Sequence, residues 1–172
     1  KGETENLWLV DHNPDGSLNE AVSYNGSNVD VCWDKPEGTT TIPAMEVSII
    51  YKDGTTYKVW RGAYDPDDGG RRNVNKFFDT TDGVNCGGGF AYGKTITLPA
   101  GIKIALRLKP YYTDAKIGAS AQGGFTLPSQ GKEITSTGTA GTTTRRVRIF
   151  QNFPALPTIF DYAVFSGSGL SK

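Results

Sequence analysis

The residues near the start of the chain whose types and spacing could do chemistry are Asp11-His12-Asn13-Pro14-Asp15-Gly16. Oxygen-bearing side chains at alternate positions, with Gly at the sixth, are how a calcium loop begins. A hard cation collects carboxylate and amide oxygens while the glycine makes the sharp turn. The pattern then lapses. The twelfth position is Val22, where a bidentate Glu closes such a loop, Glu20 comes two residues early, and Pro14 stiffens the turn. The segment therefore reads first as an Asx/Pro turn, with Asp11, Asn13 and Asp15 as the ligands should Ca2+ bind. No other cofactor is expected. Asp65, Asp67 and Asp68, with Asp79 and Asp82, offer a second set of oxygens, for which a solvated loop is the simpler account.

Catalytic chemistry has little to work with. His12 is the sole histidine and sits in a turn, so acid–base or zinc chemistry based on histidine would have to run through it alone. Glu3, Glu5, Glu20, Glu37, Glu46 and Glu133 show no surrounding motif for a glycosidase pair. The expectation is that the chain is not an enzyme. Trp8, Trp33 and Trp60 could stack on sugars, but Trp33 and Trp60 fall in strand-like runs and are expected in the core. Arg71, Arg72, Arg145, Arg146 and Arg148 could form a basic patch. With Lys+Arg and Asp+Glu at 18 each, a solvated strand face is the better reading, and no nucleic-acid partner is expected. Asn25-Gly26-Ser27 fits a glycosylation sequon and reads as a turn. Leu127-Pro128-Ser129-Gln130-Gly131 has Gln130 where a sortase signal needs Thr and reads as a loop.

The elements that must position these residues are strands. Twenty-two glycines and nine prolines punctuate runs rich in Thr, Val and Ile, the pattern of a mainly β domain built as an antiparallel sheet or sandwich with long Gly/Pro loops. Residues 28–33 alternate, with Val29, Val31 and Trp33 on one side and Asp30 and Cys32 on the other. Residues 45–61 predict a hairpin turning at Lys52-Asp53-Gly54. Residues 101–109 predict a half-buried strand with Ile102, Ile104, Leu106 and Leu108 inward and Lys103, Arg107 and Lys109 outward. Strands at about 132–138 and 144–151 are predicted to hold Val147 and Ile149 inward and Arg146 and Arg148 outward. Residues 1–172 are expected to form one domain.

Cys32 and Cys86 read either as two buried thiols or as one disulfide; the weakly charged, Thr- and Gly-rich composition favours the disulfide and an exported protein. No stretch of 18 or more apolar residues spans a membrane. The chain begins at Lys1 and its only methionine is Met45, so an export signal or anchor is expected upstream.

The end of the chain carries a resemblance. Ile134-Thr-Ser-Thr-Gly-Thr-Ala-Gly141, then Arg145-Arg-Val-Arg-Ile149, then Leu156-Pro-Thr-Ile-Phe-Asp-Tyr-Ala-Val-Phe-Ser-Gly167 resemble the C-terminal region of type IV pilus minor pilins and related pilus-assembly proteins. The resemblance covers a fifth to a quarter of the chain. It implies a Gly turn between two antiparallel strands, with the Arg-containing strand closing the head-domain sheet. It implies an extracellular structural subunit of a surface filament, acting in subunit docking and adhesion, whose partners are other pilin-like subunits. The membrane would be reached only through an N-terminal helix that this chain lacks. Phe153, Leu156, Ile159, Phe160, Tyr162 and Phe165, on the apolar tail, are the expected docking residues. The alternative is a secreted carbohydrate- or protein-binding β-sandwich module.

Overall fold

The computed structural model describes residues 3–67, 69–80, 83, 84 and 86–155. Among these described residues, eleven strands and one short helix follow in order: β1 (Glu5–Trp8), β2 (Val10–His12), β3 (Leu18–Ser23), β4 (Asn28–Asp34), β5 (Ala44–Asp53), β6 (Thr56–Tyr64), α1 (Arg71–Asn75), β7 (Tyr92–Thr97), β8 (Ile102–Tyr111), β9 (Lys116–Ala121), β10 (Gly131–Ala140) and β11 (Thr143–Asn152). All strand pairs between these elements are antiparallel, so the fold is mainly β, as the punctuation predicts.

Two sheets build a sandwich-like body. One has the order β1-β8-β5-β6 and the other β7-β4-β9. Their facing residues share one core. Met45, Val47, Ile49, Leu106 and Leu108 come from the first sheet, and Val29, Val31, Trp33 and Ile96 from the second. Trp33 is fully buried and its indole donates to the Pro43 carbonyl at 3.0 Å, so it is a core residue rather than a sugar platform. Trp8 is also buried, at 8% exposure, and Trp60 packs on the core from β6.

The β5–β6 hairpin forms where predicted, but its two-residue loop is Gly54-Thr55, because Asp53 already pairs with Thr56. Gly54 supplies the φ of +59° that the first loop position needs. On β8 the predicted alternation slips. Ile50 pairs with Ala105 and Tyr51 with Lys103, so Ile104 is a bulged residue. Leu106 and Leu108 stay in the main core. Ile104, Ala105 and Ile102 join Trp8, Val10, Ile50 and Phe153 in a second cluster instead. Arg107, expected in solvent, is 5% exposed. β9 lies within the small, polar stretch whose strand character the sequence hides, and it pairs with β4 along its whole length.

Cys32 and Cys86 are bonded across 54 residues, with Cα atoms 6.1 Å apart. The bond ties the glycine-rich segment around Cys86 to the outer face of β4. Asp65 is completely buried, not solvated. It takes a two-pronged ion pair from Arg71, with Nε to Oδ2 at 2.8 Å and Nη2 to Oδ1 at 2.6 Å, and Arg71 also lies 4.0 Å over the Tyr112 ring.

Candidate functional site

After residue 130 the chain leaves the body, and the next twenty-two residues form a single hairpin. β10 and β11 pair only with each other among the described strands, from Gly131–Asn152 at the base to Ala140–Thr143 at the tip. Ten residues per strand make an arm about 30 Å long. The two-residue loop is Gly141-Thr142, with Gly141 at φ +61°. Every residue of both strands is exposed except Gly131.

The pairing register sorts the side chains into two unlike faces. One face holds Ile134 opposite Ile149, Ser136 opposite Val147 and Gly138 opposite Arg145. The other holds Glu133 opposite Phe150, Thr135 opposite Arg148 and Thr137 opposite Arg146. Ile134, Val147, Ile149 and Phe150 are 50 to 59% exposed. The prediction that Val147 and Ile149 point inward is thus corrected: the alternation is present, but among the described residues no second layer covers the face it makes. The Arg-bearing strand does not close the body sheet, as the resemblance implied; among the described strands it pairs with β10 alone.

Charge is also divided. Residues 131–152 carry Lys132, Arg145, Arg146 and Arg148 against Glu133, a net charge of +3, while residues 1–130 hold sixteen Asp/Glu and thirteen Lys/Arg, a net charge of −3. The chain as a whole is neutral because these two parts cancel.

The base of the arm is fixed to the body by specific contacts. The Gln130 carboxamide behaves like one more peptide group on the edge of β1. Its Oε1 accepts from the Trp8 N–H at 2.7 Å, and its Nε2 donates to the Trp8 carbonyl at 3.0 Å and to the Pro128 carbonyl at 2.7 Å. Lys132 donates to the Pro14 carbonyl at 2.6 Å. Phe153, the first residue past β11, packs into the second cluster and stacks on His12, with ring centroids 3.9 Å apart and planes 13° from parallel. Trp8 closes the other side of the imidazole edge-on at 4.8 Å. The His12 Nδ1 is buried without a hydrogen-bond partner. Burial holds the imidazole below its ordinary pKa; Asp11 pulls the other way, and Lys132 adds to the lowering. His12 is a packing residue at the root of the arm.

The other sequence candidates fall elsewhere. Asp11, Asn13 and Asp15 lie on β2 and the turn into β3, and their side chains serve that turn. Asp11 Oδ1 accepts from the His12 N–H, Asn13 Nδ2 donates to the Ser17 hydroxyl, and Asp15 Oδ1 accepts from the Ser17 N–H and hydroxyl. Among the described residues, no group of three or more His, Cys, Asp or Glu is arranged to hold a metal ion. Asp68 and Asp82 lie outside the described residues. So do Leu156, Ile159, Phe160, Tyr162 and Phe165; of the expected docking set, Phe153 alone is described, and it is spent on His12. A shallow groove of about 350 Å³ opens beside Tyr24, between Asp11, Asn25 and Phe125.

Sequence reasoning missed Gln130 and the charge division. No local pattern marks Gln130, whose partner is 122 residues away. The charge division was countable segment by segment and is hidden by the neutral total. No protein-family model, curated protein or solved structure was found to match the chain.

Proposed function

We propose that this chain is a non-enzymatic, extracellular structural subunit of the pilin-like kind, a surface-filament module that works by docking to neighbouring subunits. The observation that carries the reading is the β10–β11 arm. Among the described residues it is a ribbon of two strands with no third strand and no covering layer, and such a ribbon alone is marginal in water. This one presents four half-exposed large apolar side chains beside three arginines, on a base fixed by Gln130 and Phe153. Apolar surface held out in this way is the mark of a contact site, and a pre-positioned arm loses less freedom on docking than a loose one. The disulfide supports an oxidising compartment. The resemblance of residues 134–149 to pilus-assembly proteins falls on the same arm.

The test is fractionation of cells carrying the full chain with Ile134, Val147 and Ile149 each changed to Ser. The wild-type chain is expected in sheared surface filaments, and the variant is expected to be lost from them. Equal partition of the two would overturn the reading.

A second reading, a carbohydrate-binding module, is favoured by the groove alone. Phe125, 47% exposed, could stack on a sugar ring beside the Asp11 and Asn25 side chains. Glycan-array binding lost on Phe125→Ala would support it.

A further inference from the structure

We propose that residues 156–165 of this chain cover the outer face of its own β1-β8-β5-β6 sheet, the face turned away from the β7-β4-β9 sheet. The expectation that Leu156, Ile159, Phe160, Tyr162 and Phe165 dock other subunits is then replaced: they pack on their own body, and docking is left to the arm. The placement does not depend on the docking reading, which concerns the arm.

Register sets the side chains of this face in rows. Trp8, Ala105, Ile50 and Val59 pair across the four strands in one row, and Asn6, Arg107, Ser48 and Arg61 in the next. Their neighbours Leu7, Leu106, Val47, Ile49 and Trp60 point into the shared core, so both rows face outward. Among the described residues, the apolar packing that reaches this face from outside the sheet comes from Val10 and Phe153, and both meet the first row. The second row is nonetheless dry. Arg107 is 5% exposed and Ser48 8%, and the Asn6 Oδ1 is buried without a hydrogen-bond partner. A buried carboxamide oxygen calls for a donor, and a sheet face kept from water calls for a layer upon it.

The chain itself leads there. Phe153 sits on the first row, and three residues on begins Leu-Pro-Thr-Ile-Phe-Asp-Tyr-Ala-Val-Phe, with six large apolar side chains in ten. The two rows lie about 7 Å apart, and four strands span roughly 15 Å. An extended chain advances about 3.3–3.6 Å per residue, so Leu156 reaches the second row and the ten residues are long enough to cross the sheet. Asp161 is the one charge among them, opposite in sign to Arg107 and Arg61 in that row; Lys109 and Glu46, paired one row beyond, cancel. Tethering favours this chain's own face over that of a second copy. A segment held so close to Phe153 has an effective concentration on the order of millimolar at the face.

Chymotrypsin digestion of the purified full chain tests the placement. Cleavage after Phe160, Tyr162 and Phe165 should be slower by on the order of tenfold or more than in a synthetic peptide of residues 154–172, because the protease must wait for the segment to lift off. The protection should not change with protein concentration. Cleavage as fast as in the peptide would overturn the inference. So would protection that vanishes on dilution, which would place the segment on a second copy. In the full chain, Ile159→Ser with Phe160→Ser should remove the protection and raise the binding of a hydrophobic dye. Tryptophan emission should shift to the red as Trp8, buried on this face, meets water. A variant whose digestion, dye binding and emission all match the wild type would likewise overturn it. The wild-type digestion decides the matter even where that variant fails to fold.

Discussion

The ring of Phe153 stacks on the imidazole of His12 at 3.9 Å, and this contact joins the end of the arm to the end of β2. The two residues are far apart in sequence, and Phe153, directly after β11, packs with Trp8 and Val10 in the second cluster. The arm is therefore an extension of the body rather than a loose tail.

Acidification should loosen this joint. Burial lowers the pKa of His12 in the folded chain, so the unfolded chain binds its proton more readily. Stability from this group is complete above about pH 6.5, the ordinary histidine value, and is lost as pH falls from there through the lowered folded value. Asp11 and Lys132 are the charged groups that bear on the ring. Thermal melts between pH 7.5 and 5 should show a fall that is absent in His12→Phe; parallel pH profiles would contradict the assignment.

Phe153→Ala should lower stability by about 1–2 kcal/mol, less than for a fully buried phenylalanine, because the ring is half-buried. Urea denaturation checks this. The variant should also speed amide exchange at Trp8 and Val10 more than at Val47 in the main core.

Gln130→Ala leaves the Trp8 N–H and carbonyl without their side-chain partners and should cost about 1–3 kcal/mol. Gln130→Glu keeps the size but replaces two donated hydrogen bonds with a carboxylate facing the Trp8 and Pro128 carbonyls. It should be worse near neutral pH and partly recover on acidification, which equilibrium denaturation against pH will show.

Reducing the Cys32–Cys86 bond should lower stability by about 4 kcal/mol on the loop-entropy account. Asp65→Ala should cost about 1–3 kcal/mol by removing the charged acceptor of two Arg71 hydrogen bonds, the guanidinium keeping Asp67 at 3.5 Å and the Ile42 carbonyl at 3.0 Å. Denaturant midpoints with and without reductant, and for the variant, measure both.

What could be read from the chain followed periodicity and turn chemistry. Val29, Val31 and Trp33 alternate with Asp30 and Cys32, and β4 sits centrally in its sheet with that side in the core. What could not be read depended on register and on long-range partners. One bulged residue, Ile104, sends Ile102 to the opposite face, and nothing in the local pattern announces it. Val147 and Ile149 have the alternation of a half-buried strand, yet alternation describes a two-sided ribbon and does not say that a layer covers the apolar side. The carboxamide of Gln130 and the ring of Phe153 meet partners more than a hundred residues away, a pairing no window of sequence contains.

Amide hydrogen exchange of residues 131–152, in the chain alone and in the chain recovered from assembled filaments, tests the docking role of the arm most directly. The outward amides of β10 and β11 should exchange fast in the isolated chain, and those of β11 should become protected on assembly while the body core stays as it was. Protection confined to the body, with β10 and β11 exchanging equally fast in both states, would contradict the account.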